Sequence, residues 1–208
     1  MKKFIALLMV VILGISLCAC GESSQDTKEL YISEYNKITD LSQTCESICD
    51  VVIDVWEIVG ADSAAACLSY MANVPDDFEA FWDASETPME KLWQCEIAEE
   101  YGWLHNSSFG ISLNTDAMEF HTMCKDYKNA CIKAEELNNE IEADIKSLRN
   151  TYGDKFESEF GTLNELYVEV SVFVDFSLNP SGSLISYTSD YKNYEQNIDK
   201  LSKAADIY

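Results

Sequence analysis

The feature that most constrains this chain is the spacing of its apolar residues, which alternates steps of three and four over four long stretches. Such spacing lays an apolar stripe along one side of an α-helix and packs helices at shallow angles. In the first stretch Leu41, Cys45, Ile48, Val52, Val55 and Val59 form the stripe, Tyr31, Tyr35 and Ile38 extend it backwards, and Gly60 is a natural stop. The second expected helix runs from about Thr115 to Tyr152, with Phe120, Cys124, Tyr127, Cys131, Ala134, Leu137, Ile141, Ile145 and Leu148 on its seam. Asn114 or Thr115 caps its start and Gly153 ends it. The third, Asp154 to about Leu178, carries Phe156, Phe160, Leu163, Tyr167, Val170 and Val174. Its segment Val168–Phe176 is rich in strand-favouring residues, but the helical period passes through it without a turn signal. Gly161 is its weak point. Asn179-Pro180-Ser181-Gly182 then breaks the chain, and Ser183 is the expected N-cap of a fourth helix with Leu184, Tyr187, Tyr191, Tyr194, Ile198, Leu201, Ala205 and Tyr208 on its stripe.

Between the first and second long helices lies a less regular insert, about residues 61–114. Ala61–Ala72 reads as a short helix, Asp76–Ala84 as a helical turn, Pro88–Trp103 as a further helix with proline near its start, and Leu104–Asn114 as a loop. No segment alternates convincingly with period two. The expected fold is therefore all-α: an elongated antiparallel bundle of four long helices, with a shorter helical insert between the first and second. Helices of about 25–35 residues are roughly 40–50 Å long, and the turns at Gly153 and at Asn179–Gly182 make consecutive helices antiparallel neighbours.

The first 21 residues carry a different message. Lys2 and Lys3 precede the apolar run Phe4–Leu17, and small residues follow. That order is a secretory signal, and a run of 14 residues, broken only by Gly14 and Ser16, is short of the roughly 20 a spanning helix needs. Leu17-Cys18-Ala19-Cys20 resembles the lipobox of bacterial lipoproteins, with Cys18 where that motif usually has Ala, Ser or a β-branched residue. The resemblance implies cleavage after residue 19, a diacylglyceryl group on Cys20 and attachment to the extracytoplasmic face of a bacterial cell membrane. Two acyl chains suffice for stable anchoring. Residues 20–28 then read as lipidated cysteine and polar tether, and 29–208 as one helical domain. Without Lys2 and Lys3, 12 basic residues face 37 acidic ones, a net charge of −25. Such a surface disfavours nucleic acid, whose affinity rests on Lys and Arg, and favours solubility or a cationic partner.

Cys45, Cys49, Cys67, Cys95, Cys124 and Cys131 remain after processing. An even six in an exported chain permits up to three disulfides; the alternative is that they serve as small buried hydrophobes. Cys45, Cys124 and Cys131 fall on core stripes, and Cys45 and Cys49, one turn apart on one helix, aim poorly for a bridge. There is no Cys-x-x-Cys pair, so zinc fits badly. No Glu stands three residues before His105 or His121, which removes the di-iron motif of helical bundles. Metalloprotease, nucleophile-elbow, phosphate-loop and calcium-loop patterns are absent too. His121, beside Phe120, reads as a partly buried histidine. The adjacent acid pairs Asp76/Asp77, Glu99/Glu100 and Glu135/Glu136 point about 100° apart on a helix and do not share a proton. No catalytic, cofactor-binding or metal-binding residue is assigned. Phe78, Trp82, Trp93 and Trp103 lie within 26 residues among acidic side chains and form a possible partner surface; the competing reading has these rings capping one end of the bundle.

Trp56 near the end of the first helix, Asp77-Phe78 in the insert, and Asn179-Pro180-Ser181-Gly182-Ser183-Leu184 opening a Tyr-rich last helix resemble a group of uncharacterised helical lipoproteins from Gram-positive bacteria. The resemblance implies a bundle on a membrane anchor and supplies no active site. The functional expectation is a non-enzymatic protein-interaction or spacer module with an unidentified protein partner. The alternative is a small-molecule carrier or sensor, binding between helices or at the aromatic insert.

Overall fold

The computed structural model describes residues 24–59, 61–80 and 110–207. The described residues form an all-α bundle without strands. Its elements are α1 (Ser24–Val59), α2 (Ala61–Ala72), α3 (Gly110–Tyr152), a 3-10 turn (Gly153–Lys155), α4 (Phe156–Leu178) and α5 (Leu184–Ala205). None of the described helices is long and apolar enough to cross a membrane.

Two starts differ from the sequence reading. Ser24–Lys28, expected as part of a flexible tether, is the first turn of α1. Asp26 in that turn suits the positive end of the helix dipole, Gln25 donates to Glu29 one turn on, and the Thr27 and Tyr152 hydroxyls are hydrogen-bonded at 3.2 Å. Packing on α3 thus orders residues that carry no apolar period of their own. The second helix begins at Gly110 rather than near Thr115, so the expected cap at Asn114 or Thr115 falls inside it.

Of the α1 stripe, Tyr31, Ile38, Leu41, Cys45, Ile48, Val52 and Val55 are buried and Tyr35 is half-buried, with Cys49 and Trp56 added to the expected set. In α4 the neighbours Leu166 and Tyr167 are both buried, as are Phe173 and Val174. A half-buried strand would split each pair between its two faces. Gly153 turns the chain at φ +51°, a left-handed value that favours glycine. At the other break Ser183 caps α5: its hydroxyl accepts from Ser186 N–H, and Ser186 Oγ accepts from Ser183 N–H. This reciprocal cap satisfies two otherwise orphaned donors.

Helix α1 is the hub, packing on every other helix. It runs parallel to α4, with Tyr31 stacked 6.1 Å from Phe160. It runs antiparallel to α3 and α5: Lys37 reaches Asp144, Lys133 reaches Asp40, and Tyr31 donates to the Ala205 carbonyl. The α1–α4 pair forms one diagonal, flanked by α3 and α5. Past Leu178 α4 ends, and α2 packs on α1 and α3. Aromatic clusters sit at both ends of α4. Tyr31, Tyr152, Phe156 and Phe160 gather at the Gly153 turn, with Arg149 over Phe156 at 4.7 Å. Trp56, Phe173, Phe176, Tyr187, Tyr191 and Tyr194 gather at the other. Burying one such ring is worth about 1.5–3 kcal/mol, against about 0.3–0.5 kcal/mol for an exposed ion pair one turn apart. Packing, not surface charge, holds the bundle.

Candidate functional site

The loop leaving α2 is fastened to α3 and sets the root of the insert. Asn73 N–H closes a turn on the Tyr70 carbonyl, and Val74 is buried. Lys128 Nζ donates to the Val74 carbonyl at 3.0 Å and to Asp76 at 2.9 Å, holding the Asp76 carboxyl below the usual carboxylate range. His121 is buried, and its Nε2 lies 2.8 Å from the Pro75 carbonyl. A carbonyl only accepts, so Nε2 carries the hydrogen. The His121 ring meets Phe78 edge-on at 5.5 Å. Asp77 Oδ1 accepts from Glu79 N–H, capping a helical start at residue 78.

Of the expected partner surface, Phe78 is therefore half-buried and in packing contact with His121. Trp82, Trp93 and Trp103 lie outside the described residues, as do Cys20, the expected lipid attachment point, and Cys95, His105 and the Pro88–Trp103 segment.

Cys45, Cys49, Cys124 and Cys131 are free thiols of α1 and α3, and Cys67 stands on α2. Cys45, Cys49, Cys67 and Cys124 are buried; Cys131, expected in the core, is only half-buried. Burial pushes the Cys45 thiol to about 11 and that of Cys49 to about 12, and raises Cys124 further still. Tyr187 donates its hydroxyl to Cys49 Sγ at 3.2 Å, and Tyr127 is hydrogen-bonded to Cys131. Desolvation, then these thiols, lift both phenols above the ordinary tyrosine range. Thiols held neutral in this way are poor nucleophiles and poor metal ligands. Among the described residues no group of three or more His, Cys, Asp or Glu is placed to hold a metal ion.

Among the described residues there are two surface clefts of note. One, of about 210 Å³, lies between α1, α4 and α5 with Ile38, Leu166, Val170 and Ile198 in its floor and Glu46, Glu195 and Asp199 at its rim. Burial, then Glu195 and Asp50, lift the Glu46 carboxyl against the opposing hydrogen bond from Ser42. The other, of about 400 Å³, opens where α4 ends and α2 comes in beside α3. Tyr127, Cys131, Glu135, Asn138, Asn139, Asp175 and Asn179 line it, with Ala72, Val174 and Leu178 as its apolar side. The sequence reading missed both clefts, because each combines residues from three helices whose adjacency no periodicity encodes. No protein-family model, curated protein or solved structure matches this chain.

Proposed function

We propose that the chain is a lipid-anchored protein of the extracytoplasmic face of a bacterial membrane, acting as a non-enzymatic interaction or spacer module. The observation that carries this reading is a bundle core filled from Tyr31 to Trp56 by interlocking side chains, with its thiols and phenols held neutral. A filled rod of helices suits presenting a surface at a distance. The signal and lipobox-like Cys20 supply the attachment, and the insert rooted at Val74–Phe78 supplies an aromatic, acidic surface with Trp82, Trp93 and Trp103. The second reading, a small-molecule carrier, draws on the cleft of about 400 Å³, a volume within the usual range of ligand sites.

Crosslinking in intact cells, with Cys20→Ala as control, separates the two. The interaction reading expects a stoichiometric protein partner captured by the anchored form, and its loss in Trp82→Ala or Trp103→Ala variants that still melt cooperatively. Absence of any captured partner, together with a ligand-dependent rise in Tm, would replace it with the carrier reading.

A further inference from the structure

Among the described side chains one buried oxygen has no hydrogen-bond partner: Oε2 of Glu34, in a residue only 5% exposed. Its other oxygen accepts from Lys37 Nζ at 3.1 Å. The same ammonium also holds Glu140 at 3.0 Å and Asp144 at 2.6 Å, both from α3. One positive charge thus serves three carboxylates. If all were ionised, two negative charges would be uncompensated, one of them on an oxygen that no solvent reaches and no donor satisfies.

A bare buried carboxylate oxygen costs several kcal/mol, so such groups take up a proton instead. The three acids are unequal in their access to water. The side chains of Glu140 and Asp144 are 56% and 38% exposed, that of Glu34 only 7%. Water solvates the first two; Glu34 has only Lys37. Burial raises its pKa first, the Lys37 hydrogen bond opposes, and Asp144 and Glu140 raise it further. Lys37 keeps its charge, since hydrogen bonds to Asp144, Glu140 and Glu34 outweigh its own burial.

The remaining charges at this level are engaged elsewhere or exposed. Glu142 and Lys146 on α3 pair with each other, as do Asp199 and Lys203 on α5. On α4, level with Glu34 by the Tyr31–Phe160 stacking, Glu165 is exposed and the Tyr167 hydroxyl donates to Asn138.

We propose that Glu34, Lys37, Glu140 and Asp144 form a proton-operated clamp joining α1 to α3, tightest when Glu34 carries a proton and loosened when that proton leaves. A carboxyl whose folded pKa lies above its unfolded value contributes stability that is fully present below the unfolded value and lost as pH rises through the folded one. The joint therefore weakens as pH rises through the Glu34 value, and it sits in the half of the bundle where α1 begins.

The test is Tm against pH for the full chain in detergent, wild type beside Glu34→Gln, with a carbon-13 NMR titration of the Glu34 carboxyl. The clamp requires the Glu34 carbon to titrate above 4.5, the ordinary glutamate value. It also requires the Tm advantage of E34Q over wild type to widen as pH rises from that value towards neutrality. A midpoint at or below 4.5, or a Tm difference that does not change with pH, would overturn it. Gln is isosteric with protonated Glu, so failure of E34Q to fold counts against the clamp as well.

Discussion

The thiols show how far a residue's environment overrides its chemistry. Cys45 and Cys49, with pKa values pushed to about 11 and about 12 by burial, carry almost no thiolate at neutral pH. Alkylation of the native chain at neutral pH should leave the peptides containing Cys45, Cys49, Cys67 and Cys124 unmodified until denaturant is added, and should reach half-buried Cys131 first. Mass mapping of the labelled peptides checks this, and rapid labelling of Cys49 in the native state would contradict the packing described. The apolar stripe made Cys45 and Cys124 legible as core residues. It misplaced Cys131, because the end of α4 opens a cleft over that position. Glu34 was illegible for the converse reason. It reads as a solvated polar residue, and the partners that make it unusual lie more than a hundred residues away in the chain.

At the level of the helix, two glycines make opposite demands. Gly161 sits inside α4, and a Cβ there would meet only Glu157 Oε2 at 3.4 Å, the end of a flexible side chain. Gly161→Ala should stabilise the fold by about 0.5–1 kcal/mol. Gly182 adopts φ +92°, and a Cβ would stand 2.9 Å from Ser186 Oγ, the returning half of the α5 cap. Gly182→Ala should cost roughly 1–2 kcal/mol from backbone strain alone, and more as the cap opens. Urea denaturation of both variants measures the pair; a loss at Gly161 or a gain at Gly182 would refute this account. The start of α5 was legible because turn, cap and stripe agree at Pro180–Leu184. The start of α1 was not, since Ser24–Lys28 is held by contacts such as Thr27–Tyr152 rather than by its own pattern.

For the whole molecule, the all-α class followed from spacing alone, whereas the partners of each helix did not, and α4 and α5, at 23 and 22 residues, are shorter than the spacing led one to expect. An apolar stripe says that a face is buried, not what buries it. That α1 touches α4 across the diagonal depends on how four stripes of different width close together. The net charge of −23 acts at the same scale. Self-repulsion among so many carboxylates opposes compaction, and the screening length falls from about 30 Å to about 10 Å between 0.01 and 0.1 M salt. Raising salt over that range should raise Tm. A fall would mean that ion pairs such as Lys133–Asp40 contribute more than the repulsion removes.

Tyr31, near the start of α1, donates its hydroxyl to the Ala205 carbonyl at the last residue of α5. The two ends of the bundle's path are thus tied at one pole, with a mechanical consequence. Tension pulling those ends apart breaks the Tyr31–Ala205 tie first and then opens the α1–α5 seam one turn at a time, so the load never falls on the whole seam at once. Tension between the start of α1 and the turn at Asn179–Ser183, at the opposite pole, instead drags α1 lengthwise against α4 and loads their shared stripe together. The same set of contacts is weak along one line of force and strong along the other.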